Sequence, residues 1–70
     1  MKYAVVIEKA ESNYSAYVPD LPGCIATAET FSAVESAIRD AIKFHIEGMK
    51  QGGETIPEPS SAVEYVEVAA

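Results

Sequence analysis

Three short, mainly apolar stretches lie near the start of the chain, separated by polar or turn-forming residues. Residues 2–8 are rich in β-branched and aromatic side chains, which predicts a first strand. A polar turn separates it from residues 14–18, which have the pattern of a second strand and would form a hairpin with the first. Pro22 and Gly23 suit the central positions of a type II turn, and the small residues of 24–28 then predict a third strand.

A helix is predicted after the third strand. Ser32 followed by Glu35 has the spacing of a capping box, with Phe31 placed as the upstream half of a hydrophobic staple. Gly52 and Gly53 supply the left-handed position at which a helix ends. At 100° per residue, one broad apolar face contains Val34, Ala37, Ile38, Ala41, Ile42, His45 and Met49.

The residues after the helix predict one more strand. Residues 56–60, which contain two prolines, form a stiff connector. It leads to residues 62–68, in which Val63 and Tyr65 point opposite to Val66 and Val68. The order β-β-β-α-β is an α+β fold, in which one helix covers one face of an antiparallel-rich sheet. We expect residues 1–70 to form a single domain, with one sheet face left for a partner to cover.

The size of the chain favours self-association. For 70 residues and 7.5 kDa, apolar burial contributes about 100 kcal/mol and chain ordering costs about 105 kcal/mol. No disulfide can add to this balance, because Cys24 is the only cysteine. A dimer, a tetramer or a complex with another protein is therefore expected.

The charge and hydropathy of the chain exclude several classes of function. A net charge of −6 argues against nonspecific binding of DNA or RNA and is compatible with a basic protein partner. No apolar run is long enough to cross a membrane, and no signal-peptide pattern is visible. Together with the unpaired thiol, these observations predict a cytoplasmic protein.

The carboxyl-terminal part of the chain is acidic. No lysine or arginine follows Gly53, whereas four glutamates do, among them Glu64 and Glu67 in the last predicted strand. Such charges protect a strand edge against stray pairing. They can equally form an acidic surface that speeds the encounter with a basic partner. The sequence leaves both interpretations open.

The residues capable of catalysis are few. His45 lies on the apolar helix face with no acidic residue four positions away, so a core or interface role is favoured over a general base or metal ligand. Cys24 opens a strand after a turn, which favours a buried packing thiol over a nucleophile. No metal-binding or phosphate-binding motif occurs. We therefore predict a protein that is not an enzyme and that has no cofactor or metal site.

Two segments resemble a known family. Tyr14-Ser-Ala-Tyr-Val-Pro-Asp-Leu-Pro-Gly-Cys24 and Gly53-Glu-Thr-Ile-Pro-Glu-Pro-Ser60 resemble the HicB antitoxins, partners of the HicA toxins in bacterial and archaeal toxin–antitoxin pairs. The resemblance implies a partial ribonuclease H-like fold in β-β-β-α-β order. It also implies a protein that masks a small basic ribonuclease that cuts messenger RNA.

The resemblance has a limit at the carboxyl terminus. Many family members continue into a DNA-binding domain that represses their own operon, whereas this sequence stops after the last predicted strand. We expect no C-terminal DNA-binding domain and no direct nucleic-acid binding by this domain alone.

The predicted function is therefore that of an antitoxin-like interaction protein that occludes a HicA-type toxin. The alternative is an orphan oligomeric scaffold or small-ligand-sensing domain without a toxin partner. The predicted partner-binding residues combine one aromatic, one apolar and three acidic side chains: Tyr17, Asp20, Leu21, Glu64 and Glu67.

Overall fold

Three antiparallel strands and one long helix form the fold. The computed structural model describes all 70 residues and confirms the α+β class. The sheet has the order β1-β2-β3, so that β1 and β3 are its edges. The bounds of the four elements are β1 Val6–Lys9, β2 Tyr14–Tyr17, β3 Ile25–Ala28 and α1 Phe31–Gln51.

The strand register gives the sheet two different faces. Val6 lies opposite Tyr17, and Tyr17 lies opposite Ile25, so these three side chains form one row across the sheet. Ile7 lies opposite Ala16 on the other face, where α1 packs and Ala16 is buried. The packing of α1 thus decides that Ile7, and not Val6, faces the core.

The connection between β2 and β3 contributes half of the buried core. The N–H of Val18 donates to the carbonyl of Cys24, and the N–H groups of Leu21 and Cys24 donate to the carbonyls of Val18 and Leu21. Gly23 closes this loop with a φ of +84°, as the predicted turn requires. The loop thus carries Leu21 beneath α1. The six buried residues are Ala16, Val18, Leu21, Cys24, Val34 and Ile38.

The helix begins earlier than the capping box predicted. Thr30, not Ser32, is the N-cap residue, and its hydroxyl accepts a hydrogen bond from the N–H of Ala33 at 3.1 Å. Phe31 is consequently the first helical residue, and its ring meets the Tyr14 ring edge-on with centroids 6.1 Å apart. Both threonine and serine can cap a helix, and the start at Thr30 is the one that brings this aromatic pair together.

The carboxyl end of the helix agrees with the prediction. Gly52 caps α1, its N–H donating to the carbonyl of Gly48. Gly53 follows with a φ of +70°, the left-handed conformation that favours glycine.

The predicted fourth strand does not form, so the order within this chain is β-β-β-α. Residues 62–68 have no backbone hydrogen bond, and their large apolar side chains are exposed. A strand requires a neighbouring strand edge for its backbone groups, and this segment has none. As a result the exposed surface is 5439 Å², against about 4,200 Å² expected for a folded protein of this mass.

Candidate functional site

The sheet face opposite α1 is uncovered and carries a row of apolar side chains. We call this surface, formed by Val6, Tyr17 and Ile25, the open face. Tyr17 is 41% exposed and Ile25 is 68% exposed. The neighbouring row across the sheet is polar and contains Glu8 and Ser15. An apolar row with a polar border is the arrangement found at protein interfaces, in which an aromatic residue is often the main anchor.

A carboxylate at the end of the sheet holds the chain that follows the helix. One oxygen of Asp20 accepts hydrogen bonds from the N–H groups of Ser60 and Ser61, both at 3.0 Å. The other oxygen accepts from the hydroxyls of Ser60 at 3.0 Å and of Ser61 at 2.8 Å. We call this contact the Asp20 anchor. The hydrogen bonds from the Ser61 and Ser60 backbone lower the pKa of Asp20 to about 2, with a further contribution from the serine hydroxyls.

A second contact ties the same connector to the start of β1. The hydroxyl of Tyr3 donates a hydrogen bond to the carbonyl of Pro57. Pro57 therefore lies beside the residues that precede β1, and Ser60, three residues later, lies at the loop after β2. The connector thus crosses the end of the sheet from the β1 side toward the β2–β3 loop.

The five predicted partner-binding residues occupy different environments. Tyr17 lies on the open face, and Glu64 and Glu67 are exposed in the segment beyond the Asp20 anchor. Leu21 is only 1% exposed and belongs to the core, while Asp20 is engaged by the two serines. The structure therefore gives Asp20 and Leu21 structural roles and leaves three of the five side chains accessible.

The two serines that Asp20 binds are not among the predicted site residues. A signal was present, since Ser60 and Ser61 follow a proline, and adjacent serines can each donate from both backbone and side chain to one carboxylate. Forty residues separate Asp20 from Ser60, however, and only the fold brings them together.

The two residues considered for catalysis, Cys24 and His45, lie in different environments. Cys24 is buried in the core, and this burial raises the pKa of its thiol, which disfavours the thiolate. His45 is half-buried in a shallow groove that also contains Glu54 and Met49. No group of three or more His, Cys, Asp and Glu side chains converges as a metal site, and no helix is both long and apolar enough to cross a membrane.

These features define a small α+β domain with an uncovered, partly apolar sheet face. Comparison with known families gives the more specific assignment. Residues 3–69 match the profile of the HicB-like antitoxin of bacterial toxin–antitoxin systems. The chain belongs to the HicB-like antitoxin family, as the two sequence segments suggested.

Relatives occur in a phage and in archaea. A 14.9 kDa protein encoded in the rep–hol intergenic region of Haemophilus phage HP1 is 38% identical over 66 residues, which cover 94% of this chain and 50% of the relative. A UPF0150 protein of Thermoplasma acidophilum is 39% identical over 62 residues, covering 87% of this chain and 90% of the relative. This chain therefore spans half the length of the phage relative and nearly the full length of the archaeal one.

A solved structure shares the fold. A chain of a HicA3 and HicB3 toxin–antitoxin complex superimposes with a TM-score of 0.73 at 28% sequence identity, covering 86% of this chain and 70% of that chain. The similarity places the present fold among proteins solved in a toxin–antitoxin assembly.

Proposed function

We propose that this protein is an antitoxin that binds a small basic HicA-type ribonuclease and occludes its RNA-binding surface. The observation that carries the proposal is the similarity of the fold to a chain of a solved toxin–antitoxin complex, together with the family match over residues 3–69. Inhibition is by competition for a surface, without chemistry, in the cytoplasm.

The open face is the surface that we assign to the toxin. Tyr17 stands at the centre of its apolar row, between Val6 and Ile25, and its ring supplies a rigid anchor that can be desolvated by a partner. The net charge of −6 attracts a basic ribonuclease from a distance. Once bound, the acidic protein competes with RNA for the positively charged surface of the ribonuclease.

The acidic residues of the last segment extend this contact. Glu64 and Glu67 are exposed beyond the Asp20 anchor, so their carboxylates are available to lysines and arginines of a partner. Asp20 and Leu21 act indirectly, Asp20 by holding the root of this segment and Leu21 by packing the loop that presents Asp20.

The proposal is tested by RNA cleavage with a HicA-type ribonuclease from the neighbouring gene. Equimolar wild-type protein should suppress cleavage, and Tyr17→Ala should weaken inhibition by about tenfold or more, the loss typical of an interface anchor. Phe44→Ala is the matched control, because Phe44 is an exposed aromatic residue on α1, outside the open face.

Two results would oppose the proposal. Undiminished cleavage at equimolar wild-type protein with its cognate toxin would remove the inhibitor role. Equal inhibition by wild type and Tyr17→Ala would move the contact away from the open face. Absence of a HicA-like reading frame beside the gene would instead favour an orphan scaffold or ligand-sensing domain.

Self-association is a second part of the proposal. The exposed surface exceeds that expected for a folded protein of this mass by about 1,200 Å², and large apolar side chains contribute to it. A dimer or tetramer would remove such surface from water.

A further inference from the structure

An apolar groove runs along the free edge of the sheet beside β1. Its volume is about 610 Å³, and its rim carries two cations, Lys2 and Arg39, and the carboxylate of Glu35. We call it the β1 groove. Its apolar wall comes from the chain leading through β1 and from α1, and consists of Met1, Tyr3, Val5, Ile7, Ile38 and Ile42.

The β1 groove exists because the helix is placed off-centre over the sheet. α1 packs mainly against β3 and β2 and touches β1 least. β1 is an edge strand, so the backbone N–H and C=O groups along its outer side have no strand partner. An extended segment placed there would pair with β1 and at the same time bury apolar side chains against α1.

Residues 62–68, which we call the C-terminal segment, have the properties that this groove requires. The segment forms no helix, strand or turn within its own chain, makes no backbone hydrogen bond and contains neither glycine nor proline. Tyr65 is 93% exposed, and Val66 and Val68 are also largely exposed. Seven extended residues span up to about 23 Å, more than enough to follow the whole of β1.

The path of the chain directs this segment away from its own β1. The contact of Pro57 with Tyr3 puts the connector beside the start of β1, and the Asp20 anchor then draws Ser60 and Ser61 toward the β2–β3 loop. To reach its own β1, the chain would have to reverse immediately after the anchor. No residue between Ser61 and Val68 lies in a turn or bend.

We propose that the C-terminal segment of one copy adds as a strand to the β1 edge of a second copy and fills its β1 groove. This inference rests on the self-association proposed above and is independent of toxin binding. The exchange is reciprocal, because a two-fold axis places the segment of each copy on the edge of the other. It would satisfy the edge of β1 and bury one apolar face of the segment, either Val63 with Tyr65 or Val66 with Val68, in the groove.

The charges of the two surfaces are complementary. The C-terminal segment carries Glu64 and Glu67 and no cation, whereas the β1 groove has two cations and one carboxylate, and therefore a net positive charge. Local attraction therefore opposes the repulsion between two copies that each carry a net charge of −6.

The test is sedimentation equilibrium of the 70-residue chain over a range of concentrations. Wild type should form a dimer. Val66→Pro, which removes a backbone donor and disfavours pairing in the middle of the segment, should raise the dimer dissociation constant about tenfold or more. Ala69→Pro is the matched control, because it places the same substitution outside the segment and should leave the dissociation constant unchanged.

A second variant tests the receiving surface. Ile42→Glu puts a charge into the apolar wall of the β1 groove and should also weaken the dimer. Mixing Ile42→Glu with Val66→Pro should recover one intact exchange contact, since the Val66→Pro copy keeps an unaltered groove and the Ile42→Glu copy an unaltered segment. Circular dichroism of each variant checks that α1 is retained.

The outcomes separate this inference from the proposal on which it rests. A dimer that is equally tight in wild type and Val66→Pro would overturn strand exchange while leaving self-association intact. A wild-type monomer at every concentration would overturn both. A monomer in which residues 62–68 are protected from hydrogen exchange without any partner would assign the segment to its own β1. A monomer in which they become protected only when a HicA-type ribonuclease is added would assign the segment to the toxin.

Discussion

The two ends of the chain carry nearly the same pattern and have different structures. Residues 3–7 alternate between aromatic or β-branched side chains facing α1 and smaller ones facing away, and this stretch leads into β1. Residues 62–68 also contain aromatic and β-branched residues with intervening polar positions, yet they form no strand within the chain.

The difference lies in the neighbours that each stretch can reach. β1 is followed by a short turn, in which the N–H of Ala10 donates to the carbonyl of Asn13 at 2.8 Å, so that β2 is delivered directly to its side. The C-terminal segment instead follows an anchor to a loop. The pattern of side chains thus makes a segment able to form a strand. Whether the strand forms depends on a free strand edge lying beside it.

The largest effect should come from removing a core side chain. Leu21→Ala leaves a cavity at a site that is 1% exposed and should lower the free energy of unfolding by about 2–5 kcal/mol. Tyr65→Ala, in the C-terminal segment, should change it by less than about 0.5 kcal/mol in dilute solution, where each chain is a monomer. Urea unfolding followed by circular dichroism measures both. Equal losses would show that the segment is part of the monomer core.

A smaller effect should distinguish the two candidate caps of α1. Thr30→Ala removes the hydroxyl that accepts from Ala33 and should cost about 1 kcal/mol of stability. Ser32→Ala, the matched control, should be neutral within about 0.5 kcal/mol, because Ser32 is an exposed residue in the first turn. Thermal unfolding of the two variants compares them, and the opposite ranking would restore the capping box read from the sequence.

Protonating Asp20 should have the smallest effect on the stability of the whole fold. Its effect should be confined to the contact with Ser60 and Ser61. The pKa of Asp20 is lowered in the folded chain from 3.8 to about 2, so the carboxylate favours the folded contact. This contribution is complete above pH 3.8 and is lost as the pH falls through about 2. The protection factors of the Ser60 and Ser61 amides, which are exchange rates measured relative to the intrinsic rate at each pH, should therefore fall over that range.

A charge-neutral variant checks the same contact at neutral pH. Asp20→Asn should accelerate exchange of the Ser60 and Ser61 amides, because the amide side chain lacks the charge and has only one acceptor oxygen. Asp40→Asn removes an exposed carboxylate from α1 and is the control. Unchanged protection in Asp20→Asn would show that the connector is held by other contacts, such as that of Tyr3 with Pro57.

Much of the architecture could be predicted from local patterns. The hairpin of β1 and β2, the turn at Gly23 and the end of α1 at Gly53 each depend on residues close together in the chain. α1 begins two residues before the predicted start, because Thr30 and Ser32 are both good caps; in the structure Thr30 is the cap, and Phe31 contacts Tyr14. Local propensity cannot rank two such caps.

The predicted partner-binding residues also divide into those that a local pattern could place and those that it could not. Tyr17 could be predicted as an exposed aromatic residue because strand alternation assigns it a face. Leu21 and Asp20 were predicted as surface contacts, and the structure instead makes one a core residue and the other an anchor for residues forty positions away. Burial and long-range hydrogen bonds depend on how elements pack, which no local pattern specifies.

The sequence by itself determined the α+β class, the three strands, the helix and the resemblance to the HicB antitoxins, because each depends on short-range periodicity or on contiguous motifs. Only the tertiary structure decided that the last alternating segment remains unpaired, that Asp20 holds the connector, and that β1 keeps a free edge beside an apolar groove. These features depend on the off-centre position of α1 and on contacts between distant residues, so they exist only once the chain has folded.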